Sequence, residues 1–536
     1  MNVRRYQKWA KSGLAILLAG AMMVGTAASG GGMTAQAAET ESSDTVSTQK
    51  AVTSDAASLL FTEKHITSDL TLPTIGASGT TISWKSSNPS VLSNEGKVTR
   101  PKKGAADEEV TLKGTVKMGD YAKARNFTFV VLAESEMGPT KEFALDQVEL
   151  LDDYYLTAQN SDIEFLKKFD NDRLLSRFRE TAGLDTKKIA PYGGWEDGWL
   201  GGHSVGHYLT AIAQAVKATG NADLKEKSKQ LIEGLAECQN KLGTGFIFGA
   251  KIETEGYVEK QFDILEGKTT GKTWVPWYNM HKMLTGLVDT YKYTGNKQAL
   301  EVAKKLGDWI YNRVSKWDAG TQGRVLGTEY GGMNDCLYEL YLCTRDSKHL
   351  EAAHKFDQPN LYKTVAKGGK NCLNGKHANT TIPKFLGALK RYVVLEQTGE
   401  LTKDDEAYLT NVEKFFDIAV TRHAYITGGV SVMEHFRKDN NQDGTRTQTN
   451  CESCCAHNML KMAKELYKVT GDKKYADYYE TTLRNSIMGA VKSESGAAAY
   501  FIPMATGYFK TFGNEDPAKN MFWCCTGSGM ENFTKL

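Results

Sequence analysis

A mainly α chain, an (α/α) toroid preceded by a small all-β unit, is the fold class that the sequence predicts, on three observations. From Gly138 onward apolar residues recur three and four positions apart, as in 207–216, 283–291 and 456–463, which is the pattern of amphipathic helices. Several of these stretches end alike, in Ala218-Thr219-Gly220-Asn221, Tyr293-Thr294-Gly295-Asn296, Gln397-Thr398-Gly399-Glu400 and Val469-Thr470-Gly471-Asp472, with Cys343-Thr344-Arg345-Asp346 as a degenerate copy. Glycine just past a helix supplies a left-handed cap, and Asn or Asp beside it starts the next helix. The spacing of these hinges is too irregular for a short-repeat solenoid and suits successive helical hairpins joined by long loops. Between Ile66 and Leu132, by contrast, apolar residues alternate with period two between turn signals, as in antiparallel strands.

Taken in order, residues 1–37 read as a secretory signal peptide. Arg4, Arg5, Lys8 and Lys11 precede an apolar, small-residue run over 13–28 and then Ala35-Gln36-Ala37, after which cleavage is expected. A membrane anchor is the competing reading, but the run is interrupted by glycines and is marginal against the ~20 apolar residues that span a bilayer. The protein is therefore expected to be secreted or held at the cell surface. Residues 38–57, rich in Ser and Thr, read as a linker. Within 58–136 the strands are Thr81-Ile82-Ser83-Trp84, Val91-Leu92, Lys97-Val98-Thr99, 110–116 and 127–131, broken by Asn88-Pro89, Asn94-Glu95-Gly96 and Met118-Gly119-Asp120. This segment resembles bacterial immunoglobulin-like repeats, with Trp84 in its core; such a unit serves as a spacer or attaches to carbohydrate or cell wall, and the spacer reading is preferred. Residues 137–536 form the helical domain.

With 536 residues, 40% hydrophobic and 24% charged, the chain has material for a large core. Its 66 Lys and Arg against 64 Asp and Glu give +2, too balanced for the positive field that a phosphate backbone requires, which argues against a nucleic-acid partner. Aromatic and polar residues crowd three loops, 192–203, 274–281 and 329–335, each beside glycines or proline. In a toroid such loops gather at one end and build a cleft where flat aromatic faces meet sugar rings.

Nine cysteines, an odd number, include two doublets, in Cys451-Glu452-Ser453-Cys454-Cys455 and in Trp523-Cys524-Cys525-Thr526-Gly527. Outside the cytosol thiols normally pair, yet adjacent cysteines rarely bridge each other. A zinc ion protects thiolates in another way, and Glu452, Cys454, Cys524 and Cys525 offer it four ligands. A disulfide of the Cys454–Cys524 type and a purely structural zinc remain the alternatives on composition alone.

The motifs resemble those of the β-L-arabinofuranosidases of glycoside hydrolase families 127 and 146, from about Phe143 to the end of the chain. They are Gly201-Gly202-His203-Ser204-Val205-Gly206-His207-Tyr208-Leu209, Tyr278-Asn279-Met280-His281-Lys282, His377-Ala378-Asn379, 428–436, Glu452-Ser453-Cys454 and 522–532. The resemblance implies an (α/α)6 barrel and a retaining exo-hydrolase that releases L-arabinose from plant glycans through a zinc-bound cysteine. Carried onto this sequence, it implies Cys524 as nucleophile, Glu434 as general acid/base, Glu452, Cys454, Cys524 and Cys525 as zinc ligands, and His281 and His377 as sugar contacts. For His203, His207 and His435, packing or hydrogen bonding behind the site is preferred to sugar contact. Two departures from the pattern stand out. Leu536 falls inside the helix that should follow the second doublet, as in a truncated chain, and one sugar-contacting histidine has no counterpart near 331–335. A polysaccharide lyase on the same toroid and a non-catalytic glycan-binding protein with structural zinc are the competing functions.

Overall fold

The computed structural model describes residues 43–61, 65–66, 69–102, 105–131, 140, 142–250, 256–492, 494–512 and 521–536. The expected signal peptide lies outside them. The chain divides into two compact units, Met1–Pro139 and Thr140–Leu536.

In the first unit, β1 (His65–Ile66), β2 (Thr81–Ser86), β3 (Glu108–Met118) and β4 (Tyr121–Val131) form one sheet in the order β1-β4-β3-β2. The β2–β3 and β3–β4 pairs are antiparallel, and Met118 opposite Tyr121 leaves Gly119-Asp120 as a two-residue turn with Gly119 at φ +58°. Such a turn matches the twist of a hairpin and favours glycine where φ is positive. The β1–β4 pair is parallel, contrary to the all-antiparallel expectation. Trp84 lies half-buried over Gly114, edge-on to Phe61, with its indole N–H donating to the Pro73 carbonyl at 2.8 Å.

Within the linker expected at 38–57, the described residues form a helix, α1 (Ser43–Ser58), that runs one residue past it. Val52, Ala56 and Leu59, four and three apart, are buried against Ile82 and Val116 of the sheet. The Ser and Thr content hides this narrow apolar stripe, which the sheet and not intrinsic propensity stabilises. Buried Asp55 accepts from the Ser78 and Thr80 hydroxyls at 2.9 and 2.7 Å, and Arg125 donates to the Ala56, Ala57 and Leu59 carbonyls at the helix end. A cation there offsets the negative end of the helix dipole.

The second unit is helical: α2 (Asp153–Lys167), α3 (Asn171–Ala182), α4 (His203–Thr219), α5 (Ala222–Leu242), α6 (Lys260–Leu265), α7 (Pro276–Thr294), α8 (Lys297–Val314) and α9 (Ala319–Leu326) make its first half. Then come α10 (Met333–Thr344), α11 (Ser347–His354), α12 (Pro359–Ala366), α13 (Ala378–Thr398), α14 (Glu406–His423), α15 (Ser453–Thr470), α16 (Lys473–Thr482) and α17 (Cys524–Phe533). The helices α4, α7, α10, α13, α15 and α17 pack in that order into a ring, closed by α17 against α4. Outside them α5, α8, α11, α14, α16 and α2 each pack mainly on one inner helix, so the described residues form the expected (α/α)6 barrel.

The hinges explain the alternation. Gly220, Gly295, Gly399 and Gly471 all cap in the left-handed region, and Arg345 does so at φ +57° in the degenerate copy. The threonine before each cap also has a role. Thr219, Thr344 and Thr470 each donate to the carbonyl four residues back at 2.7, 3.0 and 2.8 Å and accept the N–H of Asn221, Asp346 or Asp472. Thr294 repeats this with Thr290 and Asn296. One hydroxyl thus ties the end of an inner helix to the start of its outer partner.

Ring closure is polar as well as apolar. Glu531 of α17 accepts from His207 of α4 and lies 3.4 Å from His457 of α15, while Thr534 donates to Gln214 at 2.9 Å. Burial pushes both imidazoles down to about 4, so both are neutral: His207 donates its N–H to the carboxylate, while His457 Nδ1 pairs with Asn532 Oδ1 at 2.9 Å. The α17 backbone rests on the His207 ring, where a Cβ on Gly527 would fall 2.4 Å from it. A Gly527→Ala substitution is therefore expected to destabilise the protein by about 2–3 kcal/mol, read as a lower urea midpoint; an unchanged midpoint would contradict this packing.

Candidate active site

The inner helices present their N-terminal ends to one place. His203 is the first residue of α4, Tyr278 lies in the first turn of α7, His377 caps α13, Glu452 caps α15, and Cys524 and Cys525 open α17. Asn379 of α13 donates to Glu452 at 3.1 Å, and the Cys525 thiol points at the same oxygen at 3.9 Å. The His203 and Tyr278 rings pack 6.0 Å apart. Helix N-termini carry unpaired N–H groups and partial positive charge, so this convergence favours anions and lowers the cost of ionising a thiol.

Glu452, Cys454, Cys524 and Cys525 are all buried, and their donor atoms lie within 4.8 Å of one another. All nine cysteines are free, and the Cys454 and Cys525 sulfurs are 3.3 Å apart. Ser528 donates to the Cys454 sulfur at 3.1 Å, and Cys455 to Glu452 at 3.0 Å. Burial, reinforced by the neighbouring anions, pushes the Glu452 carboxyl and the Cys454 thiol well above their usual ranges. Burial does the same to the Cys525 thiol. Hydrogen bonds from Cys454 and Cys525 hold the Cys524 thiol well below its usual range. Four acidic donors in a dry pocket cannot all ionise unless a cation joins them. Three sulfurs and one carboxylate oxygen at this spacing form a donor set that could hold a metal ion.

Beside this group stands Glu434, on a two-residue hairpin. Val432 and His435 exchange both backbone hydrogen bonds, at 3.0 and 3.1 Å, and Met433 and Glu434 occupy the turn at φ +47° and +63°. Side chains other than Gly, Asn and Asp rarely adopt such angles, and strain of this kind collects at functional sites. The hairpin is tied to α13 where Ala378 N–H donates to the Glu434 carbonyl at 2.6 Å.

The Glu434 carboxylate has two partners. The Tyr500 phenol donates to one oxygen, and His377 Nε2 meets the other at 3.0 Å. The Cys524 sulfur lies 3.4 Å from the same phenol oxygen, so Tyr500 bridges the carboxylate and the thiol. Burial, with Cys524 and Glu452 nearby, pushes the phenol up and keeps it protonated. For His377, burial opposes the imidazolium, but Glu434 and Glu329 outweigh it and raise the pKa. The helix cap works the other way: Nδ1 accepts the Thr380 N–H at 3.1 Å, which a proton on Nδ1 would forbid. The geometry thus places a proton on Nε2, donated to Glu434.

Of the residues that the sequence assigns to the site, Cys524, Cys525, Cys454, Glu452, Glu434 and His377 come together in this cluster. His281 sits apart from their contacts. It is 4% exposed, packed under Gly331-Gly332, and lines an internal cavity with His207, Lys282, His457, Lys461 and Glu531. His203 is held by Glu196 at 2.9 Å and His207 by Glu531, as their expected supporting positions require. Sequence reasoning missed Tyr500, Asn379, Glu329 and Glu196. Asn379 falls inside the His377-Ala378-Asn379 motif, and Glu196 and Glu329 fall inside the aromatic-rich loops 192–203 and 329–335, whereas nothing local marks Tyr500.

Residues 147–536 match the family described as Beta-L-arabinofuranosidase, GH127 catalytic domain, and residues 46–134 match the atrophied bacterial Ig domain. Among solved structures, the GH127 β-arabinofuranosidase BT3674 is similar at 18% identity and TM-score 0.55, covering 74% of this chain and 61% of that one. Ara127N, a GH127 β-L-arabinofuranosidase from Geobacillus stearothermophilus T6, is similar at 17% identity and TM-score 0.52, covering 72% of this chain and 64% of its own. The chain thus spans less than two thirds of the length of either relative, and at these identities the likeness shows the fold. No curated protein matches by sequence.

The strained hairpin can be tested without touching the chemistry. Met433 is 54% exposed, so Met433→Asn, which tolerates the left-handed region, is expected to stabilise the protein by about 0.5–1 kcal/mol, read as a higher thermal midpoint.

Proposed function

The chain belongs to the β-L-arabinofuranosidase GH127 catalytic-domain family, and on that premise we propose that it is an exported, retaining exo-glycosidase releasing L-arabinose from β-L-arabinofuranosides of plant glycans. The observation that carries the proposal is the single phenol oxygen of Tyr500 shared by the Cys524 sulfur and the Glu434 carboxylate. Two short contacts in series keep nucleophile and acid/base closer than the about 6.5–9.5 Å that inverting enzymes leave for a water, and suit the about 5–5.5 Å of retaining ones.

The reaction runs in two displacements. Cys524 as thiolate attacks the anomeric carbon, while Glu434 in its acid form gives its proton to the departing glycosidic oxygen. A thioglycosyl enzyme results, and Glu434, now ionised, takes a proton from water as that water attacks the same carbon and sulfur leaves as thiolate. His377 and Tyr500 both donate to Glu434 and steady its anionic form between the steps. The exposed carboxylate, 30% accessible, leaves room for the leaving group and the water on its side.

Zinc is the ion proposed for Glu452, Cys454, Cys524 and Cys525, since three soft sulfurs and one carboxylate match its preferences. Bound there it would hold sulfur as thiolate at neutral pH, at some cost in nucleophilicity. Asn379 and Cys455 fix both oxygens of Glu452, and Ser528 orients Cys454, so the donor set is arranged by the fold. The Ig-like unit is proposed as a spacer between the catalytic unit and the cell surface.

Three outcomes test this reading. Cys524→Ala is expected to lower release of L-arabinose from a nitrophenyl β-L-arabinofuranoside by at least ~10³-fold; activity at the wild-type level would remove the proposed nucleophile. Glu434→Gln should reduce turnover by about 10²–10⁴-fold while still showing a burst of nitrophenol, because that leaving group needs little protonation and the second step does. Purified protein is expected to hold one tightly bound zinc per chain by elemental mass spectrometry, lost to a chelator together with hydrolysis. Metal-free protein of full activity would contradict the assignment.

A further inference from the structure

A second group of ligand atoms lies in the outer ring of the barrel, where α8 meets the start of α11. Asp308 of α8, Asp346 at the cap of α11 and His349 in its first turn bring two carboxylates and one imidazole within 4.8 Å of one another. Acidic groups near a helix start are common, so the case rests on the imidazole.

His349 is 1% exposed, and its ring fits against Gly307, where a Cβ would come within 2.7 Å of Nε2. Its protonation follows from the hinge already described. The Thr344 hydroxyl gives its one proton to the Leu340 carbonyl at 3.0 Å and accepts the Asp346 N–H at 3.3 Å. It has no proton left for His349, whose Nδ1 lies 2.8 Å away, so Nδ1 must carry the hydrogen and donate. Burial, opposed by Asp346, Asp308 and the Lys304 carbonyl, lowers the imidazole's pKa. With that proton on Nδ1, Nε2 is left as an acceptor lone pair, buried and without a hydrogen bond of good geometry among the described residues.

That lone pair faces an anion. Asp308 Oδ1, which makes no hydrogen bond among the described residues but has the Lys348 ammonium 3.5 Å away, is 3.9 Å from it, on a side chain that is about half exposed. A lone pair aimed at a carboxylate oxygen is repulsive unless a cation lies between them, and 3.9 Å is too long for a hydrogen bond but allows a shared metal. Asp346 spends one oxygen on the Lys348 N–H at 3.0 Å, leaving the other available. The Lys348 ammonium is 3.5 Å from Asp308, yet its side chain is half exposed and can swing to solvent. A histidine whose Nδ1–H is held by a fixed acceptor while Nε2 is free is the usual arrangement of a metal-ligating imidazole.

We propose that His349 Nε2, Asp308 and Asp346 form a second, weaker site for a divalent transition-metal cation such as Zn²⁺, completed by water, which clamps α8 to α11. One nitrogen and two carboxylates suit such an ion better than Ca²⁺ or Mg²⁺, which seek oxygen alone.

The test is calorimetric titration of Zn²⁺ into the full chain, already loaded at its cysteine cluster, with the thermal midpoint as a second readout. The wild type should take up one further equivalent, with a rise in midpoint. Asp308→Asn and Asp346→Asn should each weaken that binding at least about tenfold while leaving hydrolysis unchanged. The amide oxygen that the second of these substitutions introduces still accepts the Lys348 N–H and caps α11, so folding is preserved. His349→Gln should abolish the binding. No second equivalent at millimolar Zn²⁺, or binding to Asp308→Asn as tight as to wild type, would overturn the proposal.

Discussion

Everything at the centre of the barrel depends on burying four acidic donors, one carboxyl and three thiols, where helix ends meet. In water each would ionise freely near its own pKa; in a closed pocket they repel one another, and burial raises three of them. The fold offsets that cost in several ways. Helix N-termini direct partial positive charge inward, Asn379, Cys455 and Ser528 fix individual acceptor atoms, and the spacing of the donors suits a cation. The rest of the site can then be read as what surrounds a sulfur kept ready to ionise.

Around that sulfur the contacts are local but their origins are not. Tyr500 follows the loop after α16, Glu434 sits on a hairpin between α14 and α15, and His377 starts α13. They meet because each precedes or follows an inner helix at the same end of the ring. Two residues in left-handed conformation hold Glu434 out from the wall, so the carboxylate is partly accessible while the thiols are not. An acid/base group needs contact with water in the second displacement; a thiolate nucleophile is better shielded from it. The difference in burial matches the difference in the roles proposed for them.

The legible part of this design was whatever chemistry writes locally. The Thr-Gly-Asn hinges declared the helical hairpins, because a left-handed cap and a side-chain N-cap are determined by adjacent residues. The cysteine doublets declared themselves because soft ligands are rare and clustered. Tyr500 carried no such mark: a lone tyrosine among alanines acquires meaning only when a carboxylate 66 residues away and a thiol 24 residues away arrive on either side of it. Glu196, Glu329 and Glu531 lie in loops or motifs that stand out in the sequence, but their individual partners are just as distant along the chain or set by the fold. The helix at 43–58 was hidden differently, since a stripe of Val52, Ala56 and Leu59 becomes apolar enough only against a sheet that the helix itself does not encode. His281, read with the sugar contacts, is enclosed by Gly331-Gly332, an enclosure that depends on the loop before α10 folding over α7.

The last seam of the ring has a further meaning. The cysteines that would attack the sugar stand on the helix that closes the circle, and that helix is held to α4 and α15 by Glu531, more than three hundred residues along the chain from its partner His207. Bringing such distant segments together is the slowest and entropically dearest event in forming a toroid. An incompletely wound molecule would therefore have its thiols and its acid on separate pieces and be chemically silent. Catalytic competence in this architecture doubles as a report on whether the whole circle has been completed.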